Sequence, residues 1–188
     1  MSNRFSHVIG IDDGPFARDH RGRVLVVATA YAGLRLEGIL STRVMRDGAD
    51  ATRAVGACVS ASRFANHTRL IMFQGIALAG FNVIDIHGLH ETLGIPVLVV
   101  ARRPPSLPAI HDALLGRVRG GKKKWALIEK AGPMEPLGAL MVQRAGISLD
   151  DAGSVIARLS VNGLIPEPLR VAHLIAGGVT TGHSRGRA

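Results

Sequence analysis

Short apolar runs alternate with polar punctuation along the chain, and their spacing predicts most of the secondary structure. His7 to Ile11 reads as a strand that ends at Asp12-Asp13-Gly14-Pro15. Val24 to Ala30 is a second, almost wholly apolar strand, and Leu34 to Val44 a third, joined to it through Ala32-Gly33. Asp47-Gly48 marks a turn. Asp50 is placed to N-cap a helix from Ala51 to about Phe64, with Ala54, Cys58 and Ala61 at helical spacing. Arg69 to Phe73 is a further strand, Gly75 to Gly80 a loop, and Asn82 the cap of a helix ending near Leu93-Gly94. Pro96 to Val100 reads as a buried strand. Pro104-Pro105 then breaks the chain before a helix over about Leu107 to Arg117. Gly120-Gly121 opens a basic loop, Lys122-Lys123-Lys124, with a short apolar run from Trp125 to Ile128 behind it. Pro133 to Arg144 fits no single element. Ser148, with Asp151 after it, resembles a capping box for a helix to about Leu159, and a last helix runs from Pro166-Glu167-Pro168 to about Ala176.

Three consecutive strands suit an antiparallel meander, and the later strand-helix alternation suits right-handed parallel crossovers. The expected fold is α/β: a mixed sheet with helices on both faces, in the element order of ribonuclease H-like proteins. No internal repeat or long linker divides the chain. One domain over residues 1–188 is expected, with 177–188 a basic tail.

Charge adds a partner to this picture. Lys+Arg number 23 against 14 Asp+Glu, a formal net charge of +9. Such an excess on a folded chain points to a polyanion, with DNA first and RNA as the alternative. The aromatic share of 4% argues against a broad base-stacking platform. Cys58, the single cysteine, has no partner for an internal disulfide, which favours a reducing cytoplasm. The longest uncharged apolar stretch, Leu70 to Ile84, falls short of the ~20 residues that span a bilayer, and no signal-peptide core precedes the first strand. A cytoplasmic location without membrane contact is expected. Nothing in the sequence bears on oligomeric state.

The acids carry the candidate chemistry. In alternating strand geometry Val8, Gly10 and Asp12 share one face, and Ile9, Ile11 and Asp13 the other. A carboxylate on a central strand is costly to bury unless it is paired or metal-bound, so Asp12 is the first candidate metal ligand. Asp47 and Asp50 have good structural roles, in the turn and the helix cap. Asp85 lies where a helix dipole favours negative charge, and its functional alternative is to turn towards Asp12 across the sheet end. Two such acids suit Mg2+ or Mn2+, which activates water and offsets charge in phosphodiester hydrolysis. His173 shares a stripe with Leu169 and Ala176, so it faces the core side, where it is either a hydrogen-bonded core histidine or a proton shuttle beside the acids. His87, His90 and Glu91 are helical neighbours, but no third ligand follows at zinc spacing, and a solvated helix face is the simpler reading. Arg102 follows a buried strand directly and is placed to hold a phosphate oxygen. Arg103, Lys122, Lys123 and Lys124 complete the expected nucleic-acid contacts, which attract the backbone without reading sequence.

Several segments carry a resemblance. Ile9-Gly10-Ile11-Asp12-Asp13-Gly14-Pro15-Phe16, Asp47-Gly48-Ala49-Asp50-Ala51-Thr52, Ala79-Gly80-Phe81-Asn82-Val83-Ile84-Asp85-Ile86 and Pro166-Glu167-Pro168-Leu169-Arg170-Val171-Ala172-His173-Leu174-Ile175 resemble the endonuclease dU family, as does the ending Ser184-Arg185-Gly186-Arg187-Ala188. That family is similar in turn to endonuclease V, a ribonuclease H-like enzyme that nicks nucleic acid beside a deaminated base. The resemblance implies metal-dependent cleavage of DNA containing deoxyuridine, in DNA repair. It implies Asp12 as the central magnesium ligand, with Asp47 or Asp50 supplying a second acid, His173 beside the metal, and Arg102 where the endonuclease V pattern has a lysine near the scissile phosphate. One position departs from the pattern. Where both families carry Asp-Gly after a strand, this chain reads Gln74-Gly75. The Gln74 carbonyl is able to ligate a metal but brings no charge, and Asp85 is the candidate to compensate. The expected function is therefore a metal-dependent endonuclease on deaminated DNA. The alternative is a nucleic-acid-binding protein whose nuclease centre is weakened or lost.

Overall fold

The computed structural model describes residues 4–184. Nine strands and six helices follow one another as β1 (His7–Asp13), β2 (Arg23–Ala32), β3 (Arg35–Met45), α1 (Ala51–Ser60), β4 (Leu70–Gln74), β5 (Ala77–Leu78), β6 (Asn82–Val83), α2 (Ile86–Leu93), β7 (Val97–Ala101), α3 (Leu107–Arg117), α4 (Gly121–Ala131), β8 (Glu135–Leu137), β9 (Leu140–Ala145), α5 (Leu149–Leu159) and α6 (Glu167–Thr181). Seven strands form one mixed sheet in the order β3-β2-β1-β4-β7-β9-β8. The meander β1-β2-β3 is antiparallel, and β1, β4 and β7 are parallel. This is the α/β architecture that the element order predicts.

Alternation along the central strands builds two apolar layers. Ile9, Ile11, Ile71, Phe73, Val97 and Val99 pack on one face against Val55 and Val59 of α1 and Leu89 of α2. Val8, Leu70, Met72, Leu98 and Val100 pack on the other against Val155 and Leu159 of α5 and Leu169 of α6. The near-continuous apolar run of β4 and of β7 follows from burial on both faces.

Several boundaries differ from the sequence reading. The run from Pro133 to Arg144 becomes two strands: β9 closes antiparallel on β7, and the short β8 edges it. Asn82 caps no helix; it lies in β6, and its side chain accepts from Ala51 N–H and donates to Met45 O and Asp50. The helix begins at Ile86 instead, capped by Asp85. The helix after Asp50 stops at Ser60 and buries Ala51, Val55, Gly56 and Val59, while Cys58 is half-buried and faces the Ser41 carbonyl. The Lys122-Lys123-Lys124 run is the first turn of α4 rather than a loop, because Gly120 in the left-handed region (φ 72°) turns the chain directly into the helix. The last helix continues past Ala176 to Thr181, so 177–181 are helical, and the tail arginines Arg185 and Arg187 lie outside the described residues.

Candidate active site

The site starts from a close approach between β1 and α6. A Cβ at Gly10 would overlap the Pro168 backbone, and one at Gly14 would overlap the Thr180 hydroxyl. Glycine at these two positions lets α6 run directly along β1, and Thr29 Oγ1 clamps the helix start by donating to Pro168 O at 2.7 Å. Two strand residues advance roughly 6.6 Å. Four helical residues advance about 6 Å. Leu169 abuts Gly10, so His173 arrives at Asp12, between the two glycines. The contact is made: His173 Nδ1 lies 2.8 Å from Asp12 Oδ2. The Asp12 side chain is 9% exposed and that of His173 29%. A buried carboxylate thus has a hydrogen-bonding partner from a distant part of the chain.

Strand register brings the next group. Ile11 pairs with Phe73 in the parallel β1–β4 ladder, so Asp12 and Gln74 stand level on the same face of adjacent strands, which lie about 4.8 Å apart in any sheet. Gln74 Oε1 is buried and has no hydrogen-bond partner. Asp13 turns to the opposite face, where its Oδ2 accepts from Ala79 N–H at 3.0 Å. Burial first, and the neighbouring Asp12 charge second, push its carboxyl up from 3.8 to about 7. Asp12, Asp13, Gln74 and His173 line one cavity of about 480 Å³, walled by Pro15, Phe16 and Thr181.

These donors suit a hard divalent cation. The Asp12 carboxylate and the unmet Gln74 amide oxygen, level on one face, are oxygen ligands of the kind that hold Mg2+ or Mn2+ while leaving it several waters. Among the described residues no three His, Cys, Asp or Glu side chains form a metal-ligating group. Gln74, level with Asp12, brings an amide oxygen and no charge.

The other sequence candidates are spent elsewhere. Asp85 does not turn towards Asp12: it N-caps α2 by accepting from Gly88 N–H at 2.9 Å and pairs with Lys130 of α4 at 2.9 Å. These hydrogen bonds and the Lys130 charge outweigh its partial burial and hold its carboxyl below the usual range. Asp47 accepts from Phe81 N–H at 2.8 Å and pairs with Arg46, and Asp50 accepts from Asn82 Nδ2 at 2.7 Å and from Met45 N–H. Neither lines the Asp12 cavity. Lys124 is buried and donates to Asp47 O, and burial lowers its pKa, so it fastens α4 to the β3–α1 turn instead of facing solvent. Lys122 and Lys123 are exposed on α4. Arg102 and Arg103 emerge beyond β7, two strands from Asp12 at the same sheet end; neither lines the acid cavity.

Arg103 instead borders a larger cavity of about 720 Å³ that begins at Gly75, the residue after Gln74. Its walls are mostly apolar, with Phe81, Trp125, Met134 and Met141 among them. Sequence reading missed this space and also missed Asp13 as part of the site. The Gly-x-Asp-x-Gly spacing of residues 10–14 was the available signal, since glycines on both sides of an acid on one strand face mark the passage of a helix.

Comparisons with known proteins bear on family and fold. The family model described as Endonuclease dU matches residues 4–180. A UPF0215 protein of Deinococcus radiodurans is 54% identical over 184 residues, covering 98% of this chain and 94% of its own. A solved protein of unknown function from Archaeoglobus fulgidus superimposes with a TM-score of 0.87 at 31% identity, over 94% of this chain and 99% of that one. Endonuclease V of Ciona intestinalis, solved with a 24mer DNA containing an inosine followed by a ribo-adenosine, gives 0.58 at 12% identity over 89% of this chain and 82% of its own, a likeness of fold. By a family match that runs from before β1 to the last turn of α6, the chain is a member of the endonuclease dU family on an endonuclease V-like fold.

Proposed function

We propose that the protein is a Mg2+- or Mn2+-dependent endonuclease that cleaves a phosphodiester bond in DNA beside a deaminated base, with deoxyuridine as the lesion. The observation that carries this reading is the buried Asp12 carboxylate, paired with His173, standing level with the unmet Gln74 carbonyl in one cavity. Asp12 and Gln74 would hold the ion, which supplies water activation and charge neutralisation when bound. His173 fixes the orientation of the Asp12 carboxylate. Asp13, with a carboxyl near neutrality, is suited to take or return a proton at its carboxylate oxygen at physiological pH. The neighbouring apolar cavity is large enough for a base turned out of the duplex, and Trp125 and Phe81 offer ring faces or edges to it.

The test is a panel of duplexes carrying uracil, hypoxanthine or no lesion, incubated with Mg2+ or with EDTA. Nicking of the uracil duplex in Mg2+ alone is the expected result. Equal nicking of all three, or none in any, overturns the proposal. A second reading, a nucleic-acid-binding protein with a weakened centre, is favoured by the neutral Gln74. Under that reading Gln74→Asp raises metal-dependent cleavage, and no gain counts against it.

A further inference from the structure

A second cavity of about 480 Å³ continues from the acid site, sharing Pro15, Phe16 and Thr181 with it and passing on to His20, Arg23 and Arg43. The shared wall is the β1–β2 loop, residues 14–22. Arg46 stiffens this loop by donating to Arg18 O and His20 O, and its guanidinium lies 5.5 Å from the Phe16 ring centroid. Gly14 N–H donates to Leu25 O at 2.8 Å, and the Phe16 and His20 rings sit 6.2 Å apart. On the far side of the same loop Arg18, Arg21 and Arg46 border a third hollow, with Asp19 and Asp47 as its acids.

The arginines divide into two sets. Arg23 is held by Arg43 O and Asp50, and Arg46 by the loop carbonyls and Asp47. Among the described residues no side-chain hydrogen bond or ion pair engages Arg18, Arg21 or Arg43, and all three are exposed. Arg43 on β3 opens on the groove that leads to the acid cavity, and Arg18 and Arg21 on the braced loop open on the hollow behind it. Unpaired guanidinium groups on both sides of one loop suit phosphate oxygens spaced along a chain. Buried His20 Nε2, which has no hydrogen-bond partner, adds an unmet polar atom to the groove wall.

We infer that this groove and the hollow on the far side of the loop form the track for the nucleic-acid strand flanking the scissile bond, with Arg43 lining the groove and Arg21 the hollow, each contacting a backbone phosphate. The inference rests on the proposed nuclease reading, and it names a surface distinct from Arg102, Arg103 and the α4 lysines.

The test measures binding in EDTA, where metal-dependent cleavage does not interfere, by fluorescence anisotropy of a labelled uracil-containing single strand across a salt series. Each phosphate contact contributes about 0.7 to the slope of log K against log salt on a single strand. Arg21→Ala/Arg43→Ala therefore reduces the slope by about 1.4 and weakens binding roughly 25-fold near 0.1 M salt. Arg35→Ala removes one charge at the opposite end of β3, where Arg35 pairs with Glu37, and leaves the slope unchanged. Circular dichroism of the double variant matches wild type, because neither arginine holds the fold. An unchanged slope in the double variant, an equal loss in Arg35→Ala, or no binding by wild type overturns the inference. A wild type that nicks uracil duplex while the double variant keeps its slope sinks the groove and leaves the nuclease. A wild type that never nicks, with the slope lost in the double variant, does the reverse.

Discussion

Asp13 offers a quantitative handle on the site. Its folded-state carboxyl is raised from 3.8 to about 7, so the folded chain keeps a proton that the unfolded chain has released. Folding therefore loses stability as pH rises through that interval, and the loss is complete above about 7. A shift of about 3 units at about 1.36 kcal/mol per unit sets a ceiling of roughly 4 kcal/mol. Asp13→Asn never ionises, and its amide oxygen is still able to accept from Ala79 N–H. The variant should match wild type near pH 4 and exceed it by about 2–4 kcal/mol at pH 8. The assay is urea unfolding in EDTA at steps of pH, followed by Trp125 fluorescence. Asp50, Asp85 and Glu167 are shifted the other way, so their contributions appear only as pH falls towards and below the usual carboxylate range, and they cancel in the comparison. A wild type to variant difference that stays constant from pH 5 to 8 refutes the reasoning.

Other substitutions probe the frame. Gly10→Ala drives a Cβ into the Pro168 backbone; it should cost about 1–3 kcal/mol as an overpacked contact and displace His173, read as a lowered urea midpoint together with lost cleavage. Asp85→Ala removes a helix cap and a partly exposed ion pair, about 1–2 kcal/mol in the same unfolding assay. Lys124→Met leaves the Asp47 carbonyl without this donor and should destabilise by about 1–3 kcal/mol, with the salt slope of DNA binding unchanged.

What the sequence disclosed follows from which forces are local. Strand alternation assigned Asp12 to the Gly10 face and Asp13 to the other, and helical spacing pointed His173 inward, because both depend only on backbone period. The turn at Asp47 and the helix starts near Asp50 and Asp85 were legible locally; their tertiary partners, Phe81 N–H, Asn82 and Lys130, were not. Gly121, Lys124 and Ile128 do form a helical stripe, the one signal that Lys124 turns inward, but three adjacent lysines read first as a solvated loop. Pro136 and Gly138 obscured β8 and β9, whose pairing with β7 is long-range. The unpaired arginines flanking the β1–β2 loop were invisible for the same reason: Arg18 and Arg21 lie in that loop and Arg43 on β3, segments that the β2–β3 ladder brings to one end of the sheet.

The central claim is that the carboxylate of Asp12 anchors hydrolysis, and the rate of nicking of a uracil-containing duplex in Mg2+ by wild type and by Asp12→Ala tests it most directly. The account predicts nicking by wild type and none by a variant that still unfolds cooperatively. Equal rates from the two proteins would contradict it.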